Sequence, residues 1–215
     1  MASLSVLHVD AHLVVLDKPA GLLSVPGRGA DRADCLSARV QAMYPDALVV
    51  HRLDMATSGV VLMARGTDMQ RRTSAAFAHR EVSKRYVAVV AGRPAPPSTA
   101  DGWSEIDLPI AADWPNRPLR VIDHQRGQAS LTRWRVLGPG GMPDSTRVEL
   151  EPVTGRTHQL RVHLKAFGHP ILGDTLYAPN AIASAAPRLL LHACALRLAH
   201  PYSGEPLAFF SPPPF

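Results

Sequence analysis

Short apolar runs alternate with clusters of turn-forming residues along most of the chain, and this pattern predicts more strands than helices. Helical spacing of apolar residues predicts three helices, at 35–44, 67–80 and 157–168. Strands are predicted at 4–10, 13–19, 58–65, 83–92, 128–137, 145–153, 188–201 and 206–210. Because the two types do not alternate strictly, we expect an α+β fold with a mixed, mostly antiparallel sheet rather than a doubly wound nucleotide-binding fold.

Capping and turn residues mark the ends of several predicted elements. Thr67 is expected to be the N-cap of the helix at 67–80, and Gly168 the C-cap of the helix at 157–168. Proline and glycine make segments 18–29 and 93–102 loop-like, and segment 138–145 is typical of a hairpin connection.

The stretch HRLDMATSG at 51–59 carries two opposite charges between apolar runs. Asp54 is predicted in a loop that leads into the buried strand at 58–65, and such loops often present reactive groups. The structural alternative is an Asx-type turn, in which the carboxylate binds the amide of Thr57 or Ser58. Taken alone, the stretch favours that alternative.

The stretch GRTHQLRVHL at 155–164 is the second candidate site. On a helix His158, Arg161 and Lys165 share one face, and Arg156 lies at the helix start, where backbone amides attract anions. A solvated charged face is the simpler interpretation of this pattern alone. No HExxH motif and no nearby cysteine supports a metal site.

Aromatic residues near cations offer a third signal. Tyr86 follows Lys84 and Arg85 at a strand start, where it is suited either to stack on a base or to fill the core. The three tryptophans are assigned to packing by default, although Trp114 lies among turn formers beside Arg117. His192 and His200 lie in an apolar strand and are interpreted as structural.

Composition adds a charge argument. The 215-residue chain has a net charge of +5 and 23 lysines and arginines, of which only Lys18, Lys84 and Lys165 are lysines. Arginine binds phosphate and stacks on bases, so a nucleic-acid partner is favoured, although coding bias toward arginine gives the same composition. No GxGxxG or GxxxxGK[ST] motif, signal peptide or long apolar run is present, and two distant cysteines are typical of a reducing cytoplasm.

Together these motifs resemble the RluA family of RNA pseudouridine synthases. The resemblance is carried by HRLD–x–x–TSG, KRYVAVVAG, GRTHQLRVHLKAFGHPILGD and RLLLHACALRLAHP, in the family's order and approximate spacing. GLLSVPGR at 21–28 and ADWPNRP at 112–118 are similar to the family's founding member. The resemblance implies one catalytic domain over 1–215 without an N-terminal S4-type RNA-binding domain. Its fold would be a bisected antiparallel sheet, flanked by helices and loops, with the catalytic cleft in the middle.

The family's functional residues transfer to matching positions. The resemblance implies that Asp54 is the catalytic carboxylate, that Tyr86 stacks on the target uracil, and that Arg161 pairs with Asp54 and keeps it ionised. Further implied roles are a wall of the base pocket for Leu190 and Leu191, and base flipping or RNA binding for Arg52, Arg117, Arg156 and His158.

The implied reaction converts specific uridines of 23S ribosomal RNA and of tRNA anticodon stem-loops to pseudouridine. The product is an isomer of the substrate, so no cofactor and no metal is expected, and Asp54 could act as nucleophile or as base. Structured RNA is the expected partner, with no membrane association, for a cytoplasmic monomer. Two alternatives remain: a catalytically idle RNA-binding module on the same scaffold, and a glycosidase or nucleosidase with Asp174 as second carboxylate.

Overall fold

The computed structural model describes residues 4–27, 29, 33–97 and 99–215. Arg28, the last residue of the GLLSVPGR motif, lies outside the described residues. Unit 1 contains the chain up to Lys84 together with Ala193–Pro214, and unit 2 contains Arg85–His192 with Phe215.

Twelve strands and four helices are assigned to the described chain. They are β1 (Ser5–Val9), β2 (Leu13–Lys18), α1 (Leu36–Met43), β3 (Ala47–Val49), β4 (Ser58–Arg65), α2 (Thr67–Ala78), β5 (Ser83–Ala91), β6 (Ser104–Asp107), β7 (Ile110–Ala112), β8 (Arg120–Ile122), β9 (Leu131–Pro139), β10 (Ser145–Pro152), α3 (Gln159–Ala166), α4 (Asn180–Ala183), β11 (Leu191–Ala199) and β12 (Pro206–Phe210).

Unit 1 is a sheet in the order β1-β2-β4-β11, where β3 also pairs with β4 and β12 with β11. The pairs β1–β2, β2–β4, β3–β4 and β11–β12 are antiparallel. Strand β4 is buried over seven of its eight residues, as its unbroken apolar run predicts. Its partner β2 ends at Lys18, which lies opposite Gly59 and carries the chain into the loop that contacts the HRLD segment.

The core of unit 1 forms where alternate residues of these strands point to one face. Its buried members are Leu13, Val15, Val60, Leu62, Val82, Leu196 and Leu198. Because side chains alternate along a strand, this pattern fixes the register of β2 against β4 and hence the position where the HRLD segment enters β4.

Unit 2 contains strands in the order β5-β10-β9-β6 and the separate two-stranded hairpin β7–β8. Neighbours in both are antiparallel. The hairpin packs on helix α3 through a small core of Ile110, Val162 and Tyr177, with Leu119 and Ile122 at its edge. This core holds the ADWPNRP segment on the body of unit 2.

The α+β prediction is confirmed, and several boundaries differ from the sequence pattern. Gly66 is the N-cap of α2 and Thr67 its first helical residue, so the predicted cap was one residue late. Helix α3 ends at the C-cap Phe167, and Gly168 follows with φ 88°, the left-handed conformation that favours glycine. The hairpin β7–β8 and helix α4 were not predicted.

Candidate active site

Asp54 lies in the turn between β3 and β4, as the sequence predicts, and its side chain is half-buried. The amide of Thr57 donates to the main-chain carbonyl of Asp54 at 3.1 Å. The Asx-type alternative assigned the amide of Thr57 or of Ser58 to the carboxylate. The Thr57 amide binds the main-chain carbonyl instead, and this hydrogen bond does not need an aspartate side chain.

Ser24 forms two hydrogen bonds to the main chain of Leu53, the residue that precedes Asp54. Its hydroxyl donates to the carbonyl of Leu53 at 2.7 Å and accepts from the amide of Leu53 at 3.1 Å. Ser24 is 7% exposed, so neither group of Leu53 exchanges this bond easily for water. On the other side, the amide of Gly21 donates to the carbonyl of Met55 at 2.8 Å.

The side chain of Lys18 binds main-chain groups of the same loop. The sequence did not indicate Lys18 as a site residue. Its side chain is fully buried, and its ammonium donates to the carbonyls of Leu22 at 2.7 Å, Pro19 at 2.9 Å and Met55 at 3.1 Å. A buried charge requires such compensation. The signal was a lysine at the end of an apolar strand, directly before a Pro-Gly loop.

His51 fixes the start of the HRLD segment. Its Nε2 accepts from the amide of Leu62 at 3.0 Å, and its ring stacks on Phe77 at 4.5 Å. Burial, with the positive charge of Lys84, lowers the pKa of His51 to about 3. The ring is therefore neutral at pH 7, with its proton on Nδ1, while the next residue, Arg52, is exposed.

Tyr86 lies on β5, opposite Leu150 of β10, and its side chain is half-buried. The next strand residues, Val87–Val90, are buried. Tyr86 is thus neither fully buried nor exposed, and the choice between stacking on a base and filling the core stays a prediction.

Arg161 lies on α3 and is only 3% exposed, so the solvated-face interpretation is wrong for this residue, whereas Lys165 on the same face is exposed. Its Nε and Nη2 form a bidentate pair with Asp174 at 2.9 and 2.6 Å. Oδ1 of Asp174 also accepts from the amides of Leu176 and Tyr177 at 3.0 and 3.2 Å. Asp174 is thus the ion-pair partner that orients Arg161, a role poorly suited to a proton-donating second carboxylate of a glycosidase.

His158 is the N-cap of α3 and adopts a left-handed conformation with φ 58°, which is uncommon for a residue other than glycine. Its Nδ1 lies 2.6 Å from the hydroxyl of Tyr177. That hydroxyl also accepts from the amide of Arg120 at 3.0 Å, so its proton is available to Nδ1. The three residues join the start of α3 to the hairpin β7–β8.

The remaining predicted residues also lie in unit 2. Leu190 and Leu191 are each 3% exposed, and the carbonyl of Leu190 accepts from the amide of Val89 at 3.1 Å. Arg156 and Arg117 are exposed. The guanidinium of Arg117 lies 3.8 Å from the ring centroid of Trp114.

Asp54 and Arg52 belong to unit 1, and the other predicted site residues to unit 2. Within unit 2, Arg161 and His158 converge on Tyr177, whose ring lies 5.0 Å from the Arg161 guanidinium. The pairing of Asp54 with Arg161 stays a prediction. In the described part of the chain no cluster of three or more His, Cys, Asp or Glu side chains is suited to a metal ion, and no helix has the length and apolar character needed to cross a membrane.

The chain belongs to the RNA pseudouridylate synthase family, whose model matches residues 12–166. It is therefore an enzyme that isomerises uridine to pseudouridine in RNA. It is 46% identical, over 99% of its length and 94% of the relative's, to the dual-specificity RNA pseudouridine synthase RluA of Escherichia coli K12.

Two solved human structures have the same fold. The human RNA pseudouridylate synthase domain containing 1 protein matches with a TM-score of 0.78 at 28% identity, over 99% of this chain and 84% of that one. The human RNA pseudouridylate synthase domain containing 4 protein matches with a TM-score of 0.74 at 28% identity, over 98% and 88%.

Proposed function

We propose that Asp54 is the catalytic carboxylate of this enzyme. The observation that carries the proposal is the construction of its turn. A buried serine and a buried lysine fix the residues on both sides of Asp54, and the Thr57 amide bonds to its backbone carbonyl. A half-buried side chain held at a rigid backbone position is what general-base or nucleophilic catalysis requires.

The reaction needs one carboxylate and no added reagent. The N1–C1′ bond of uridine breaks, the uracil turns, and a C5–C1′ bond forms, while C5 loses a proton and N1 gains one. Asp54 either attacks the ribose as nucleophile or removes a proton to start the cleavage. Because substrate and product are isomers, stoichiometry requires no redox cofactor, nucleotide or metal.

Arg161 is assigned as the cationic partner of Asp54. Asp174 supports this role because it fixes the guanidinium through Nε and Nη2 and so determines where the rest of the group points. Tyr86 is assigned to stack on the target uracil, and its half-buried ring is consistent with that. The buried Leu190 and Leu191 would supply the apolar wall that a turning base requires.

The target nucleotide must leave its helix before Asp54 can reach it, at a cost of a few kcal/mol. Arg52 is exposed two residues before Asp54 and is assigned to replace the extruded base. Arg117, Arg156 and His158 are assigned to the RNA backbone. Phosphate contacts of this kind offset the cost of flipping.

The substrates are proposed to be uridines of 23S ribosomal RNA and of tRNA anticodon stem-loops. The supporting observation is the 46% identity to a relative whose name states dual specificity. Recognition in this class depends on RNA shape as well as sequence. The enzyme is proposed to act in the cytoplasm as a monomer and without a metal.

The test is tritium release from RNA labelled at C5 of uridine, because C5 loses its hydrogen only when it bonds to C1′. Anticodon stem-loops and 23S fragments serve as substrates. Asp54→Asn is expected to lower turnover by at least about a thousandfold while leaving RNA affinity largely unchanged. Asp46→Asn is the matched control, since Asp46 is an exposed aspartate of the same unit that pairs with Arg65.

Retained turnover in Asp54→Asn would remove Asp54 from its role. An idle RNA-binding module would show no tritium release with the wild-type protein and no effect of either substitution. A nucleosidase would release free uracil from the RNA, which chromatography of the products detects. The bidentate engagement of Asp174 with Arg161 argues against that reaction.

A further inference from the structure

We propose that the hairpin β7–β8 forms a second nucleotide subsite, which binds an unpaired base of the substrate RNA other than the target uridine. The inference rests on the proposed RNA substrates. It concerns a cavity of about 630 Å³ in unit 2, which is within the range of about 300–1,000 Å³ typical of ligand sites. Tyr86, Leu190 and Leu191 are not among its lining residues.

Hydrogen bonds close the tip of the hairpin. The side-chain amide of Asn116 donates to both carboxylate oxygens of Asp113, at 3.2 and 3.0 Å. The amide of Leu119 donates to the carbonyl of Asn116 at 3.0 Å, and that of Asp113 to the carbonyl of Leu119 at 3.1 Å. These hydrogen bonds join residues on both sides of Trp114, whose side chain is exposed.

Trp114 differs from the other two tryptophans of the chain. It is 66% exposed, whereas Trp103 and Trp134 are 9% and 2% exposed. The Arg117 guanidinium stacks on its ring at 3.8 Å, but Arg117 does not line the cavity and Trp114 does. Trp114 is thus a large exposed aromatic residue at the cavity. Such a side chain suits stacking on a base.

The cavity is lined by the apolar strand β7 and by charged residues of both signs. The cationic residues are Arg120 and Arg126, and the acidic ones are Asp113 and Asp123, which bind Asn116 and Arg126 respectively. Nε of Arg120 is buried and makes no hydrogen bond to any part of the chain that the structure describes. Arg126 is 86% exposed and pairs with Asp123 at 3.1 Å. A neighbouring hollow of about 200 Å³ shares Arg120 and adds Arg156.

These features together select the ligand. An aromatic platform beside guanidinium groups binds a flat base and the phosphate next to it. A duplex shows its base faces only at its ends, so the ligand is an unpaired nucleotide of a loop.

Trp114 itself supplies the readout. Trp103 and Trp134 are buried, so iodide should quench mainly the fluorescence of Trp114. RNA that stacks on Trp114 should quench the same part of the fluorescence. Trp114→Ala should weaken binding of a modified stem-loop roughly tenfold or more, mostly through KM, while Trp114→Phe restores much of the loss. Tyr202→Ala is the matched control, since Tyr202 is a 67% exposed aromatic residue of unit 1 and should have no effect.

Abasic positions placed one at a time in the RNA loop identify the base. The inference requires a position whose base removal weakens binding to the wild-type enzyme but not to Trp114→Ala. Trp114→Ala with affinity and KM within twofold of wild type would overturn it, as would equal sensitivity of both proteins at every position. Binding is measured by fluorescence and does not require turnover. RNA that binds without tritium release would therefore contradict the proposed function but not this inference.

Discussion

The pair of Arg161 and Asp174 shows how much a single buried contact can determine. The two side chains are 4% and 1% exposed and meet at 2.6 Å. A buried ion pair is expensive to form, but removal of one partner leaves an uncompensated charge. The pair is therefore a sensitive test of the site, because its loss affects both stability and the direction of the Arg161 guanidinium.

Asp174→Asn is expected to lower the free energy of unfolding by about 3–5 kcal/mol. The physical reason is that Arg161 keeps its charge and loses the carboxylate that balances it. Urea unfolding followed by circular dichroism measures the change. Asp68→Asn is the control, because Asp68 pairs with Arg71 and Arg72 on the exposed side of α2 and its loss should change stability little. Similar results for the two variants would contradict the assigned cost.

At the scale of elements, the loop after β2 is a support for the HRLD turn. Ser24 and Lys18 bind main-chain groups of Leu53 and Met55, the residues that flank Asp54. A shift of about 1 Å in a catalytic group can cost about a hundredfold in rate. Ser24 is therefore expected to act as a positioning residue for Asp54.

Ser24→Ala should lower kcat by about ten- to a hundredfold with little change in KM, because the carboxylate loses its position while the RNA surface remains. Stability should fall by about 1–3 kcal/mol, since the buried groups of Leu53 lose their partner. Tritium release and urea unfolding measure the two effects.

Ser145→Ala provides the matched control. The Ser145 hydroxyl also bridges both main-chain groups of one residue, Met142, at 2.6 and 3.2 Å, and is similarly buried. It should lose comparable stability and keep kcat. A normal kcat in Ser24→Ala, or an equal loss in both variants, would refute the positioning role.

The elements also show what the sequence could predict. Strand β4 was found to the residue because its apolar run is unbroken, and β12 because turn residues bound it. The hairpin β7–β8 was missed because its strands have three residues each and depend on a tertiary contact with α3. Burial of Arg161 was missed for a similar reason, because its partner Asp174 lies thirteen positions later, outside the helical pattern.

At the scale of the whole molecule, many arginines have structural partners. Arg39, Arg65, Arg71 and Arg135 each form an ion pair with an acidic side chain at 2.6–3.1 Å. Arg52, Arg117 and Arg156 are exposed and lie in the segments that the family motifs mark. Arg117 stacks on Trp114, and Nε of Arg156 donates to the carbonyl of Ala129 at 3.4 Å. Composition alone could not separate coding bias from RNA binding, and the RNA-binding role of this second group stays a prediction.

The stability of the whole molecule depends on pH through two histidines, the half-buried His51 and the buried His163. Burial lowers the pKa of His163, although the Leu108 carbonyl and the charge of Asp107 oppose the shift, and the pKa of His51 falls to about 3. In the unfolded chain both should titrate near 6.5. Below that pH the two histidines are protonated in the unfolded state but stay neutral in the folded state. The free energy of unfolding therefore decreases as the pH falls.

We expect the free energy of unfolding to be constant near pH 7.5 and to decline below about pH 6.5. The slope should be about 1.4 kcal/mol per pH unit for each of the two histidines, His51 and His163. His51→Gln should remove one such contribution, because glutamine can accept from the Leu62 amide without titrating. His79→Gln, at an exposed position after α2, is the control and should keep the wild-type slope. Urea unfolding between pH 5 and 7.5 measures the slope of the unfolding free energy against pH. An unchanged slope in His51→Gln would mean that His51 takes up its proton in the folded protein. The hydrogen bond to Leu62 would then not hold the ring neutral.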